Sequence, residues 1–217
     1  MSNYFEHFEH FETALHRQFV LPILRLDDPQ TCLHLARCLV KAGFDILEIT
    51  LTTPEALKLI ASLAQEGIWI GAGTVLSKIE AERALANGAQ FLVSPGLSLE
   101  IAQVAEKAQL PYFPGVFTPS EVMTALNHGL TRLKLFPAST GGLDYLKHLQ
   151  GPFPQVQWLP TGGLHFAELK AWQQAGVLAV GQGTRLVSPA ALARQDWESI
   201  EQELRSLHAE IQSWFLA

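Results

Sequence analysis

Short apolar runs alternate with amphipathic stretches along almost the whole chain. Residues 19–26 (FVLPILRL) read as a strand, and 29–44 (PQTCLHLARCLVKAGF) as a helix whose apolar positions Leu35, Leu39 and Ala42 recur at helical spacing before Gly43 stops it. The same alternation predicts strands over 45–51, 69–75, 90–95, 111–115, 131–137, 156–163 and 177–184. Helices are predicted over 53–67, 77–88, 98–109, 118–129, near 142–150, over 165–176, near 189–194 and over 195–215. Thr53 is the expected N-cap of its helix, with Pro54 in the first turn. Ser77 with Glu80, and Thr118 with Glu121, have capping-box spacing.

Strands separated by helices imply parallel pairing with right-handed crossovers. Eight such units predict an α/β fold of the (β/α)8 TIM barrel class in a single domain. Residues 1–17 form an extra N-terminal helix in this reading, 18–190 the barrel and 191–217 a C-terminal helix. An open doubly wound sheet is the alternative, but GAG and GQG do not complete the GxGxxG pattern of such sheets. In the opening YFEHFEHFE, Phe5, Phe8 and Phe11 recur every third residue and seat a helix against the barrel. That packing accounts for the pattern better than a metal site at His7 and His10, and the remaining histidines have no ligand spacing.

Composition narrows the function. Of 217 residues, 48% are apolar and 17% charged, so the chain can bury a large core. The net charge of −6 disfavours a nucleic-acid surface, while a small anion can still be bound locally by backbone amides and a few cations. Cys32 and Cys38 suggest no disulfide framework, and reduced thiols fit a cytoplasmic protein. No apolar signal core opens the chain, and no uncharged run is long enough to span a bilayer.

The candidate chemistry comes from side-chain alternation. In TRLKLFP (131–137), Leu133 and Leu135 share one face, and Arg132, Lys134 and Phe136 the other. If the leucines meet the helices, Lys134 points into the barrel, where desolvation lowers its pKa and exposes a neutral amine. In DILEITL (45–51) the same logic turns Glu48 inward. A structural ion pair is the competing reading of these two residues. Their position near the C-terminal strand ends favours chemistry, because active sites of such barrels lie there. Gly71, Gly73 and Thr74 end the third strand, and Ser94 and Pro95 the fourth. Gly162, Gly163, Gly183 and Thr184 end the last two strands, where the loops that follow form the usual phosphate site of these barrels.

ILEITLTT, GAGTVL, VSPGL, FPGVFTPSE, LKLFPA and PTGG, in this order and spacing, resemble the 2-keto-3-deoxy-6-phosphogluconate (KDPG) aldolases, also described as 2-keto-4-hydroxyglutarate (KHG) aldolases. The resemblance runs from about residue 18 to 190. It implies a class I, Schiff-base aldolase on a (β/α)8 barrel, acting as a homotrimer without metal or other cofactor. It makes Lys134 the Schiff-base lysine and Glu48 the general acid/base. Thr74 would lie near the pyruvate carboxylate, Pro95 and Phe136 against the pyruvyl group, and Thr161 at the substrate hydroxyl. Gly162, Gly163, Gly183 and Thr184 would hold the phosphate. One departure stands out. Thr52 occupies the place of the arginine that helps hold the substrate carboxylate, leaving Arg25 as the nearest cation. The 6-phosphogalactonate aldolases also lack that arginine, whereas Thr161 favours the gluconate epimer. Cleavage of the galactonate or hydroxyglutarate substrate, a phosphosugar isomerase, and a non-catalytic phosphosugar-binding barrel remain alternatives.

Overall fold

In the computed structural model, residues 2–215 are described, with side chains from Glu9 onward except that of Thr184. Phe5, His7 and Phe8, which carry most of the N-terminal repeat, therefore lie outside the described side chains. The strands are β1 (Val20–Leu24), β2 (Ile46–Thr50), β3 (Trp69–Gly73), β4 (Leu92–Val93), β5 (Tyr112–Phe113), β6 (Gly115–Val116), β7 (Arg132–Leu135), β8 (Gln157–Trp158) and β9 (Val180–Gln182). The main helices are α1 (Ser2–Gln18), α2 (Pro29–Lys41), α3 (Ala56–Gln65), α4 (Lys78–Ala86), α5 (Leu99–Ala108), α6 (Pro119–Asn127), α7 (Ala138–Gln150), α8 (Leu169–Gln174), α9 (Pro189–Arg194) and α10 (Trp197–Ser213).

Every strand pair is parallel, and the sheet curls. Six strands run in the order β5-β4-β3-β2-β1-β9 and three in the order β6-β7-β8. The predicted 111–115 strand is two short pieces split at Pro114, which has no N–H to give to a ladder. Its carbonyl still accepts from Lys134 N at 2.9 Å. On the far side, Leu178 N donates to Trp158 O at 3.0 Å, Gly181 N donates to Pro160 O at 2.8 Å, and Thr161 bridges Gly181 in parallel.

Alternation along the strands divides the core in two. Leu47, Ile49, Leu133 and Leu135 face the helices and belong to a large cluster that includes Cys32 and Cys38 of α2. Ile46, Phe91, Val93, Phe113 and Leu159 face inward and meet Phe11 and Leu15 of α1. The Phe11 ring lies 5.4 Å from Trp69 and 5.2 Å from Phe91, centre to centre. Glu12 pairs with Arg132 of β7 and also accepts from Gln157 Nε2, and Gln18 bonds the backbone of both β1 and β2. Arg132 thus shares the inward face with Lys134, as its parity predicts, and is used at the end of the sheet away from the strand C-termini.

The expected capping boxes form at Ser77/Glu80 and Thr118/Glu121. Thr53 does not cap. Helix α3 begins only at Ala56 after Glu55, and the Thr53 hydroxyl instead donates to Leu24 O across the strands at 3.3 Å. Helix α7 starts at Ala138, earlier than the predicted 142, and bends at Gly142, whose φ of 70° and ψ of −172° only glycine adopts easily.

Candidate active site

A cleft of about 530 Å³ opens among the C-terminal ends of the strands. Ten of the predicted site residues line it: Arg25, Glu48, Thr74, Pro95, Lys134, Phe136, Thr161, Gly162, Gly163 and Gly183. Thr52 does not. It is exposed, its hydroxyl 3.0 Å from that of the buried Thr50. The Thr184 side chain lies outside the described residues, so its hydroxyl is not placed. Ile23, Leu164, Gly181, Gln182 and Arg185 also line the cleft and were not anticipated. Ile23 was legible, since it shares the inward parity of Arg25 on PILR; Gln182 and Arg185 carry no such mark in the sequence.

Lys134 reaches the cleft from β7 and is 6% exposed; Glu48 reaches it from β2 and is 1% exposed. Burial drives both pKa values toward neutrality. It pulls the Lys134 ammonium below its ordinary range, with Glu48 opposing and Arg25 assisting. It pushes the Glu48 carboxyl above its ordinary range, against the pull of Lys134 and Arg25. The two groups form no ion pair within 4.0 Å, and Glu48 Oε2 has no hydrogen-bond partner. The absence of a direct ion pair argues against a purely structural pair. Lys134 Nζ lies 4.9 Å from the centre of the Phe136 ring.

The rest of the site is held from below. Arg25 Nη2 donates to Thr74 Oγ1 at 3.0 Å. Thr74 has φ of 55°, a left-handed conformation that a β-branched residue adopts only under constraint. Gly73 provides the seat for Glu48: a Cβ there would lie 1.7 Å from Glu48 Oε1. Gly181 does the same for Thr161, whose Oγ1 would be 2.3 Å away. Thr161 Oγ1 donates to Leu159 O at 3.2 Å, and Phe136 N to Val116 O at 3.1 Å. No group of three or more metal-ligating side chains occurs among the described residues. No described helix is long and apolar enough to cross a membrane.

Comparison with known proteins gives this arrangement its context. Residues 11–203 match the profile of the family described as KDPG and KHG aldolase. The chain belongs to the KDPG and KHG aldolase family. The 2-dehydro-3-deoxy-phosphogluconate aldolase of Pseudomonas aeruginosa is 38% identical over 194 residues, covering 88% of each chain. The KHG/KDPG aldolase of Escherichia coli K12 is 36% identical over 186 residues, 83% of this chain and 86% of the other. Among solved structures of the family, the KDPG aldolase of Legionella pneumophila superimposes with a TM-score of 0.83 at 32% identity, over 90% of this chain and 97% of that one. That protein was captured with pyruvate as a covalent carbinolamine intermediate.

Proposed function

We propose that this protein is a class I aldolase that cleaves 2-keto-3-deoxy-6-phosphogluconate to pyruvate and glyceraldehyde 3-phosphate through a Schiff base on Lys134. The observation that carries the reading is the buried amine and buried carboxyl, both driven toward neutrality and unpaired with each other, in one cleft at the strand ends.

The chemistry follows from that placement, with Lys134 reacting as the free amine that its lowered pKa favours. Neutral Lys134 adds to the C2 ketone, and a proton moves from nitrogen to oxygen to give the carbinolamine. Protonated Glu48 gives its proton to that hydroxyl, water leaves, and a cationic iminium faces a Glu48 carboxylate. Glu48 then accepts the C4 hydroxyl proton, the C3–C4 bond breaks, and its electron pair moves into the iminium to form the enamine as glyceraldehyde 3-phosphate departs. The enamine is protonated at C3 by Glu48. Water adds at C2 with Glu48 taking its proton, and collapse of the second carbinolamine frees pyruvate and Lys134. Arg25, held on Thr74, is the cation available for the substrate carboxylate in the absence of an arginine at position 52. Pro95 and Phe136 wall the pyruvyl group, and Thr161 orients the substrate hydroxyl.

In this reading the curled sheet is a closed (β/α)8 barrel in a single domain, with β5 and β6 counted as one strand and α1 as an added N-terminal helix. The bonds from Leu178 and Gly181 to the β8 segment support the closure. A homotrimer is the assembly proposed from the family resemblance, and light scattering on the purified protein tests it.

Borohydride reduction in the presence of pyruvate is the decisive experiment. It is expected to leave a covalent adduct on Lys134 by peptide mass spectrometry, and Lys134→Ala to give neither adduct nor pyruvate release from KDPG. Cleavage at a near wild-type rate by Lys134→Ala would refute the mechanism.

A further inference from the structure

The turn after β9, which packs beside β1, holds a second cleft cation that the family resemblance did not single out. Arg185 belongs to a short turn, Thr184–Leu186, and lines the cleft with Gly162, Gly163 and Gly183. Its side chain is exposed, and among the described residues it makes no ion pair and no hydrogen bond. Most other cleft groups are engaged or buried. Arg25 donates to Thr74, and Lys134 and Glu48 are buried and shifted toward neutrality. The guanidinium of Arg185 is therefore an uncommitted cation lining the cleft of a chain whose net charge is −6.

Its surroundings are built for an anion. Gly162 and Gly163 follow one another with φ of 96° and 75°. The carbonyls of Thr161 and Gly162 accept from Ala138 N and Ser139 N at 2.8 and 3.0 Å. The amides of Gly162, Gly163 and Gly183 donate to no protein acceptor among the described residues. Successive amides released in this way form an anion-binding concavity. Gln182, 5% exposed, donates through Nε2 to Leu164 O at 3.1 Å and so ties the strand end that leads to Arg185 to the glycine loop.

We infer that Arg185 is a specificity residue that recognises the phosphate of the substrate, adding a charge-assisted contact to the glycine amides and setting the preference for phosphorylated over unphosphorylated 2-keto acids. This inference rests on the aldolase reading of the cleft. A guanidinium matches two phosphate oxygens at once, where an ammonium supplies a single point charge.

The test compares wild type, Arg185→Ala and Arg185→Lys on KDPG and on 2-keto-3-deoxygluconate, its unphosphorylated counterpart, by pyruvate release. Arg185→Ala is expected to lower the ratio of kcat/KM for the phosphorylated over the unphosphorylated substrate by about tenfold or more, mainly through KM, with Arg185→Lys recovering part of it. Competitive inhibition by inorganic phosphate is expected to weaken in the same order. An unchanged ratio would overturn the inference, and so would an equal loss on both substrates. Failure of the aldolase reading shows separately, as a wild-type protein that traps no pyruvate on borohydride. Broadening of the inorganic phosphate 31P NMR signal, lost in Arg185→Ala, then still reports on Arg185 itself.

Discussion

Glu48 depends on what β3 does not carry. A Cβ at Gly73 would overlap its carboxyl, whereas one at Gly71, two residues earlier on the same strand, would meet the Phe91 ring at 2.3 Å. The two glycines are therefore expected to fail differently. Gly73→Ala displaces the acid and lowers kcat by about 10²-fold while pyruvate still traps on Lys134. Gly71→Ala instead crowds the inner cluster and costs about 1–3 kcal/mol in urea unfolding. Glu48→Gln should cost about 10²–10⁴ in kcat with some imine still formed. The same carboxylate raises the pKa of Lys134 and Arg25 lowers it, so the pH dependence of borohydride trapping has a predicted sign. The midpoint lies below the ordinary 10.5 of a lysine, moves further down in Glu48→Gln and moves up in Arg25→Ala. Lys134 and Glu48 were legible because parity on a buried strand leaves a charged residue only one way to point. Thr52 was not, because alternation ends with the strand at Thr50, so parity no longer says where the next side chains point.

At the scale of elements, the helices were easier to read than the strands. Ser77 and Thr118 announce their helices by local hydrogen bonds alone, and both boxes form as the spacing predicts. Ser77→Ala is expected to cost about 1 kcal/mol, read as a shift in the urea midpoint. Thr53 has the same chemistry but lies where β1 and β2 approach; its hydroxyl donates to Leu24 O, and the helix starts only at Ala56, after Glu55 turns through a left-handed φ of 57°. The predicted strands at 90–95, 156–163 and 177–184 shrink to two or three paired residues. Past these short ladders Pro95, Gly163 and Gly183 line the cleft, so part of the lost strand length serves the site. Sequence alternation reports burial, and a residue buried against a cleft has the same signature as one buried in a ladder.

For the whole molecule, the sheet separates an inner cluster from the larger one under the helices. Phe11 of α1 belongs to the inner cluster, 3% exposed, at the end of the sheet remote from the cleft. Phe11→Ala is expected to lose about 3 kcal/mol of unfolding free energy, measured by urea denaturation. The class of the fold was legible from the alternation of units, since parallel strands require crossovers. The contact of α1 with the sheet was legible only in part: the every-third phenylalanines marked an apolar face, but nothing local pointed to the Glu12–Arg132 pair, which joins residues 120 positions apart. Both cysteines lie in the outer cluster, and burial raises both thiols, that of Cys32 to about 12. An alkylating reagent therefore meets almost no thiolate while α2 stays docked. Maleimide capture of Cys32 then serves as a clock for the opening of α2, against which any substrate or variant can be timed.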